Sequence, residues 1–233
     1  MRRVYLDNNA TTALDAEVLA AMLPFFTEQY GNASSAHAFG APVAEAVRAA
    51  RRAVGALIGA AAEQEIVFTS GGTESDNAAI LSGLATQQAA GRDEVVISAV
   101  EHPALLTLCD DLARRRGVTV HRIPVDRAGR LDRDAYRAAL SPRTSIVSMM
   151  WANNETGTLF PVAALGAEAR AAGALFHTDA VQAAGKLPIA LRDLPVDMLS
   201  LSGHKLHAPK GVGVLYVRKG VPFQPLILGG RQE

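Results

Sequence analysis

Residues 200–211 read SLSGHKLHAPKG and place Lys205 between two histidines in a predicted turn. An apolar run over 197–202 leads into this turn, and a second run, GVGVLYV over 211–217, follows it. Both runs are typical of buried strands, so the pattern predicts that Lys205 lies between two elements of the core. A lysine that only has to be solvated needs no such position.

The same pattern extends outward along the chain, where apolar runs alternate with helical segments. The predicted strands are 66–69, 94–98, 118–123, 144–150, 174–177, 196–202 and 211–217. The predicted helices are 15–30 and 41–59, before the first strand, and then 73–90, 103–116, 132–140 and 161–172. This alternation predicts an α/β fold with a mostly parallel seven-stranded sheet and helices on both faces.

The composition excludes several classes of function. The 233 residues carry no formal net charge and have a near-neutral pI, so no basic surface for nucleic acid is expected. No apolar run approaches the roughly 20 residues that span a bilayer, and the single cysteine cannot form an internal disulfide. We therefore expect a cytoplasmic protein that binds neither nucleic acid nor membrane.

A glycine-rich turn follows the first predicted strand. Residues 70–75 read SGGTES and precede a predicted helix. The glycines let backbone N–H groups approach a ligand and a helix N-terminus favours an anion, so residues 70–75 are a candidate phosphate-binding turn. The alternative is an ordinary strand-to-helix turn that Ser70 or Thr73 caps.

Two further strand ends carry candidate side chains. His102 follows the second predicted strand and could stack on a ring or transfer protons, or could simply precede a helix that begins at Pro103. Asn154 lies in the polar loop 151–157, which turn chemistry alone would also explain.

Asp179 follows the fifth predicted strand. It could cap a short helix over 180–185, which is the commoner role for such an aspartate. It could instead hold a protonated ring nitrogen, with Gln182 about one helical turn further on.

Lys205 follows the predicted strand 196–202 and joins the other candidates at strand ends. Ligands of open α/β sheets bind beyond the carboxyl ends of the strands, so these residues should line one site. An anion site, a carboxylate, a ring that can stack and an amine together predict a site for pyridoxal 5'-phosphate. Lys205 would be the nucleophile that holds the cofactor as an imine, with Ser202 and His204 near the phosphate. His204 and His207 alone fall short of the three or four ligands that zinc requires, so no metal is expected.

Six motifs, in this order, resemble those of the cysteine desulfurases, which are fold-type I pyridoxal-phosphate enzymes. The motifs are residues 4–12, 69–77, 101–103, 153–157, 177–182 and 202–211. Residues 151–161 and 206–209 are most similar to the nitrogen-fixation (NifS-type) branch. The resemblance implies that 1–233 is the cofactor-binding large domain, with an N-terminal helical segment over about 1–60.

The resemblance also implies roles for individual residues. Lys205 would be the catalytic lysine that binds the cofactor, and His102 would stack on the ring. Asp179 would pair with the ring nitrogen, and Gln182 would meet the ring hydroxyl oxygen. The residues implied for the phosphate are Gly72, Thr73, Ser202 and His204, and the residue implied near the substrate carboxylate is Asn154.

The implied reaction removes sulfur from L-cysteine and gives L-alanine and an enzyme-bound persulfide. The implied acceptor is an iron–sulfur scaffold protein in cluster assembly for nitrogenase, and the implied assembly is a homodimer. The alternatives are a selenocysteine lyase or another fold-type I enzyme, and an inactive fragment that only binds cofactor.

The chain ends in LGGRQE over 228–233, which is typical of the middle of a loop. The cysteine desulfurases continue into a C-terminal small domain that carries the nucleophilic cysteine, so this domain is expected to be missing and the fragment to be inactive by itself. Cys109 is not expected to substitute, because it shares one helical face with Leu105 and Leu112 and should pack in the core.

Overall fold

The computed structural model describes residues 3–230 and 233. Its strands are β1 (Ile66–Thr69), β2 (Glu94–Ser98), β3 (Thr119–Ile123), β4 (Thr144–Ser148), β5 (Leu175–Asp179), β6 (Met198–Ser202) and β7 (Gly213–Val217). Its α-helices are α1 (Ala16–Thr27), α2 (Gly40–Ile58), α3 (Gly72–Gln87), α4 (Pro103–Arg116), α5 (Arg133–Ala139) and α6 (Val162–Ala171).

The strands form a single sheet in the order β1-β7-β6-β5-β4-β2-β3. All neighbours from β6 to β3 pair in parallel, whereas β7 runs antiparallel to both β1 and β6. The predicted mostly parallel, seven-stranded sheet is therefore confirmed. Because β7 is reversed, the chain passes from β6 to its neighbour through a short connection, and Lys205 lies in that connection.

Helices cover both faces of the sheet, as predicted. Alternate residues of each strand supply two separate apolar clusters, as β2 illustrates with Val96 on one side and Val95 on the other. Helices α3 and α4 pack on the face of Val95, and α2, α5 and α6 pack on the face of Val96. Strands β2, β4, β5 and β6 are buried along their whole length, as expected of strands that helices cover on both faces.

Local sequence signals fix where α4 begins and ends. Its first residue is Pro103, and the His102 side chain accepts a hydrogen bond from Ala104 N as the N-cap. Three arginines in the last turn complement the helix dipole, and Gly117 follows in the left-handed conformation with φ 66°. The predicted bounds of this helix, 103–116, agree with the structure for these reasons.

Two predicted elements differ from the structure near the site. The short helix predicted over 180–185 is wrong, because this segment forms a series of turns over 181–186. Strand β5 runs two residues further than predicted, so Asp179 is its last residue rather than one that follows it. No helix in the described part of the chain is long and apolar enough to cross a membrane.

Candidate functional site

A cavity of about 430 Å³ opens beyond the carboxyl ends of the parallel strands. The turns after β1, β5 and β6 meet there with the loops after β2 and β4. All nine residues predicted for the site line it: Gly72, Thr73, His102, Asn154, Asp179, Gln182, Ser202, His204 and Lys205. The topology rule for open α/β sheets explains why these side chains meet, since each follows or ends a strand at this edge of the sheet.

The glycine-rich turn presents a helix N-terminus to this cavity. Helix α3 has Gly71 as its N-cap, with no side-chain cap, so neither Ser70 nor Thr73 caps it as the alternative interpretation required. A Cβ at Gly72 would lie 3.1 Å from Val181 Cγ2 and 3.5 Å from Ser202 Cβ, so a side chain at this position would crowd Val181. Backbone N–H groups and two hydroxyls, those of Thr73 and Ser202, are therefore available to an anion.

Lys205 ends a short 3₁₀ turn that connects β6 with β7. Its Nζ donates hydrogen bonds to the carbonyl oxygens of Asn9 and of Ala10, the latter at 2.8 Å. Partial burial lowers the pKa of Lys205, and the positive charge of Lys186 lowers it further, whereas Asp179 opposes this shift. These conditions favour the neutral, nucleophilic amine more than water does.

The N-terminal segment Asp7–Thr12, which we call the N-terminal strap, crosses the Lys205 turn. Thr12 N donates to His204 O at 2.9 Å, and the Thr12 hydroxyl donates to the same oxygen at 2.9 Å. Thr11 Oγ1 lies 3.0 Å from His204 Nδ1. Residues 7–12 belong to the first of the six motifs but were assigned no individual roles, because their contacts are with a turn almost two hundred residues away.

Asp179 lies at the floor of the cavity with only 7% of its surface exposed. Its Oδ1 accepts a hydrogen bond from Val181 N at 2.9 Å, which is the contact expected of a cap although no helix follows. Burial raises the pKa of Asp179, while that N–H group and the positions of His102 and Lys205 oppose the rise. The carboxyl group can therefore pair with a cation in the cavity.

Gln182 forms hydrogen bonds with two residues near Lys205, namely Asn9 and Lys186. Its Nε2 donates to Asn9 O at 2.9 Å, and its Oε1 accepts from Lys186 Nζ at 2.7 Å. The side chain thus links the N-terminal strap to the turns that follow β5.

His102 and Asn154 also line the cavity. The His102 Nδ1 accepts from Ala104 N at 3.1 Å, so a neutral ring carries its proton on Nε2. Both interpretations of His102 are compatible with this geometry, since it caps α4 and also faces the cavity. In the neighbouring loop, Asn153 Oδ1 accepts from the N–H groups of Glu155 and Thr156, which leaves Asn154 as the amide at the cavity.

A group of buried polar residues behind the cavity was not predicted. His177 is fully buried between the hydroxyls of Ser148, 2.8 Å from Nδ1, and Ser200, 2.9 Å from Nε2. Burial lowers the pKa of His177 to about 3, so the ring is neutral at pH 7. Glu101 accepts from Ser98 Oγ at 2.5 Å and from Met150 N at 2.9 Å, and burial raises its pKa to about 8.

The described residues supply neither a metal site nor a reactive thiol at the cavity. No group of three or more His, Cys, Asp or Glu side chains among the described residues could hold a metal ion. Cys109 is fully buried with Leu105 and Leu112, as predicted, and burial raises the pKa of its thiol to about 12. Lys210, in contrast to Lys205, is exposed.

Comparison with known proteins matches residues 4–233 to the profile of the aminotransferase class-V family. The chain belongs to the aminotransferase class-V family. Members of this family depend on pyridoxal 5'-phosphate, which agrees with the cofactor predicted from the strand ends.

Relatives within the class-V family are named cysteine desulfurases, the family that the six motifs resemble. The cysteine desulfurase of Gluconacetobacter diazotrophicus is 67% identical over 233 residues, which are 100% of this chain and 58% of the relative. The cysteine desulfurase NifS of Azotobacter vinelandii is 58% identical over 233 residues, 100% of this chain and 57% of the relative. These matches confirm the resemblance to the NifS-type cysteine desulfurases.

A solved structure described as a NifS-like protein has a TM-score of 0.94 and 40% identity, and the match covers 99% of this chain and 63% of that one. The class-V fold is therefore shared along the chain. This chain spans about three-fifths of the length of the relatives that it matches.

Proposed function

We propose that the chain is the cofactor-binding part of a pyridoxal-phosphate-dependent cysteine desulfurase. The complete enzyme would remove sulfur from L-cysteine and give L-alanine and an enzyme-bound persulfide. The observation that carries the proposal is the single cavity that brings Lys205, Asp179 and the uncapped N-terminus of α3 together. An amine, an acid and an anion site are the three groups that this cofactor requires.

The donor set of the cavity fits the cofactor at both ends. Gly72, with the hydroxyls of Thr73 and Ser202 and the ring of His204, would hold the phosphate at the positive end of α3. Asp179 would hold the ring nitrogen, Gln182 the ring hydroxyl oxygen, and His102 would stack on the ring. When bound, pyridoxal phosphate supplies an aldehyde for an amine and a protonated ring that withdraws electrons from an amino acid.

The chain's own residues would prepare Lys205 for this chemistry. The carbonyl groups of Asn9 and Ala10 hold its ammonium form, and burial together with Lys186 makes the loss of a proton easier. His102 keeps a proton on Nε2 because Nδ1 accepts from the backbone, so it can donate into the cavity. Asn154 would orient the substrate carboxylate.

The proposal extends to the setting of the complete protein. We infer a cytoplasmic homodimer that passes sulfur to an iron–sulfur scaffold protein, in the nitrogen-fixation branch that the name NifS of one relative supports. Residues 1–233 would be the large domain, with a helical segment over about 1–60. A selenocysteine lyase or another fold-type I enzyme would use the same cofactor site.

Covalent attachment of the cofactor tests the proposal. The purified chain mixed with pyridoxal phosphate should be yellow, and borohydride should fix the cofactor to the peptide that contains Lys205. Lys205→Ala should lose the colour on dialysis, whereas Lys210→Ala, which changes an exposed neighbour, should keep it. Equal retention of covalent cofactor by Lys205→Ala would overturn the assignment.

A further inference from the structure

Asp76 is an aspartate on α3 that lies beneath the cavity and lines it, with only 1% of its surface exposed. Its Oδ1 has no hydrogen-bond partner among the described residues, and the nearest basic atom, His177 Nε2, is 3.7 Å away. Buried carboxyl groups are almost always paired or bonded, because an isolated buried charge is very costly. The position of Asp76 therefore needs a physical explanation.

The neighbours of Asp76 offer it no positive charge. Residues two apart on a strand point to the same side, so β5 directs both His177 and Asp179 towards α3. His177 is neutral at pH 7, for burial holds its pKa near 3. The titratable groups that act on Asp76 are thus one neutral ring and two acids, Asp179 and Glu101, and the Ser200 hydroxyl opposes their effect on its pKa.

Asp179 is better placed than Asp76 to hold a negative charge. It accepts the Val181 N–H group and lies near His102 and Lys205, all of which favour its ionised form. Asp76 has no backbone N–H donor or cation of this kind, and burial together with the charge of Asp179 raises its pKa well above the usual range. Two neighbouring buried carboxyl groups of this kind share one proton unequally.

We propose that Asp76 is a positioning residue that keeps its carboxyl proton, so that Asp179 carries the single negative charge at the cavity floor. This inference rests on the proposed function, since the charge of Asp179 matters there because the cofactor ring nitrogen would face it. Behind Asp76, Ser200 Oγ lies 2.9 Å from His177 Nε2 and Ser148 Oγ lies 2.8 Å from His177 Nδ1, so both nitrogens of this neutral ring already have hydroxyl partners.

The neutral ring of His177 and its two hydroxyl partners therefore bring no cation to Asp76 on this side of β5. An ionised Asp76 would place a second negative charge beside Asp179 and compete with it for any cation in the cavity.

Infrared spectroscopy of the cofactor-free chain tests where the proton is. At neutral pH the chain should show the carbonyl stretching band of a protonated carboxylic acid. Labelling of aspartate with a heavy isotope should shift this band, whereas a band from Glu101 would not shift. The band should disappear in Asp76→Asn and persist in Asp179→Asn. Absence of the band from the unsubstituted chain, or its loss in Asp179→Asn alone, would overturn the proposal.

Proton release on unfolding gives a second measurement that does not depend on band assignment. Asp76 ionises when the chain unfolds at pH 7, so Asp76→Asn should release about one proton fewer than the unsubstituted chain. Equal release would contradict the proposal. Because neither measurement uses the cofactor, a failure of Lys205 to bind pyridoxal phosphate would be a separate result.

Discussion

Ser202 is the residue whose contribution to the anion site can be measured most directly. It is buried at the end of β6 beside Gly72, and its hydroxyl should bond to the cofactor phosphate. A hydrogen bond to a charged group contributes about 1.5–3 kcal/mol, so Ser202→Ala should raise the Kd for pyridoxal phosphate by roughly tenfold or more. A spectroscopic titration of the two proteins measures this change.

Ser70 provides a matched control at the other end of the same turn. It is exposed, and its hydroxyl bonds to the Glu74 carboxylate instead of facing the cavity. Ser70→Ala should leave the Kd close to that of the unsubstituted chain. If Ser202→Ala and Ser70→Ala had the same Kd, Ser202 would have no part in holding the phosphate.

Single residues also show what the sequence could and could not reveal about the site. Lys205 and Asp179 were predictable because each ends a strand pattern, and strand ends meet at one edge of the sheet. Asp76 and Glu101 were within the quoted motifs, but their burial depends on packing between elements that are distant in sequence. His177 did carry a signal, since its spacing of two from Asp179 places both on one side of β5.

At the scale of elements, the contact between the N-terminal strap and the Lys205 turn depends on Thr12. Its hydroxyl donates to His204 O and accepts from His207 N, both at 2.9 Å. Thr12→Val keeps the shape but removes both bonds, which should weaken the anchoring of the strap by about 1–2 kcal/mol. Amide hydrogen exchange at residues 10–12 should become about tenfold faster.

Thr27→Val is the control for this prediction, because the Thr27 hydroxyl contacts only Leu23 O in its own helix. It should leave exchange in the N-terminal strap unchanged. Unaltered exchange in Thr12→Val would mean that the backbone bond from Thr12 N to His204 O is sufficient to hold the strap.

The elements differ in how well their sequences specified them. Helix α4 has a proline, a polar N-cap and a glycine at its ends, so its bounds were predictable. The segment 181–186 contains good helix formers, yet it forms turns. Gly185, with φ 70°, lies in the left-handed conformation, and Pro188 follows soon after, so too few residues remain for a stable helix.

For the whole molecule, Glu101 should make stability depend on pH. Its pKa is raised by burial from 4.5 to about 8, so the folded chain holds a proton that the unfolded chain releases in this range. This contribution is complete below about pH 4.5 and is lost as the pH rises towards 8. The unfolding free energy should therefore fall less steeply between about pH 5 and 8 in Glu101→Gln than in the unsubstituted chain.

Urea unfolding at several pH values measures these slopes, with Glu45→Gln as the control. Glu45 is exposed, and its bonds to Arg52 and Arg48 lower its pKa, so its titration lies below this range. Identical slopes for Glu101→Gln and the unsubstituted chain would show that Glu101 is ionised when folded.

The chain of 233 residues should form no persulfide from L-cysteine, even when loaded with pyridoxal phosphate. Sulfur transfer requires a reactive thiolate, and Cys109 is fully buried with a thiol pKa raised to about 12. Incubation with L-cysteine, followed by assays for alanine and protein persulfide, checks this expectation. Persulfide that disappears in Cys109→Ala would contradict our interpretation of α4.

The insertion of β7 between β1 and β6 has a consequence for the protein during translation. Strand β1 leaves the ribosome early, but its only neighbour in the described sheet is β7, made more than a hundred residues later. Because translation adds about 5–20 residues per second, β1 remains without this neighbour for roughly ten seconds or longer. The Lys205 turn directly precedes β7, so a nascent chain completes its sheet and its cofactor cavity in the same late step.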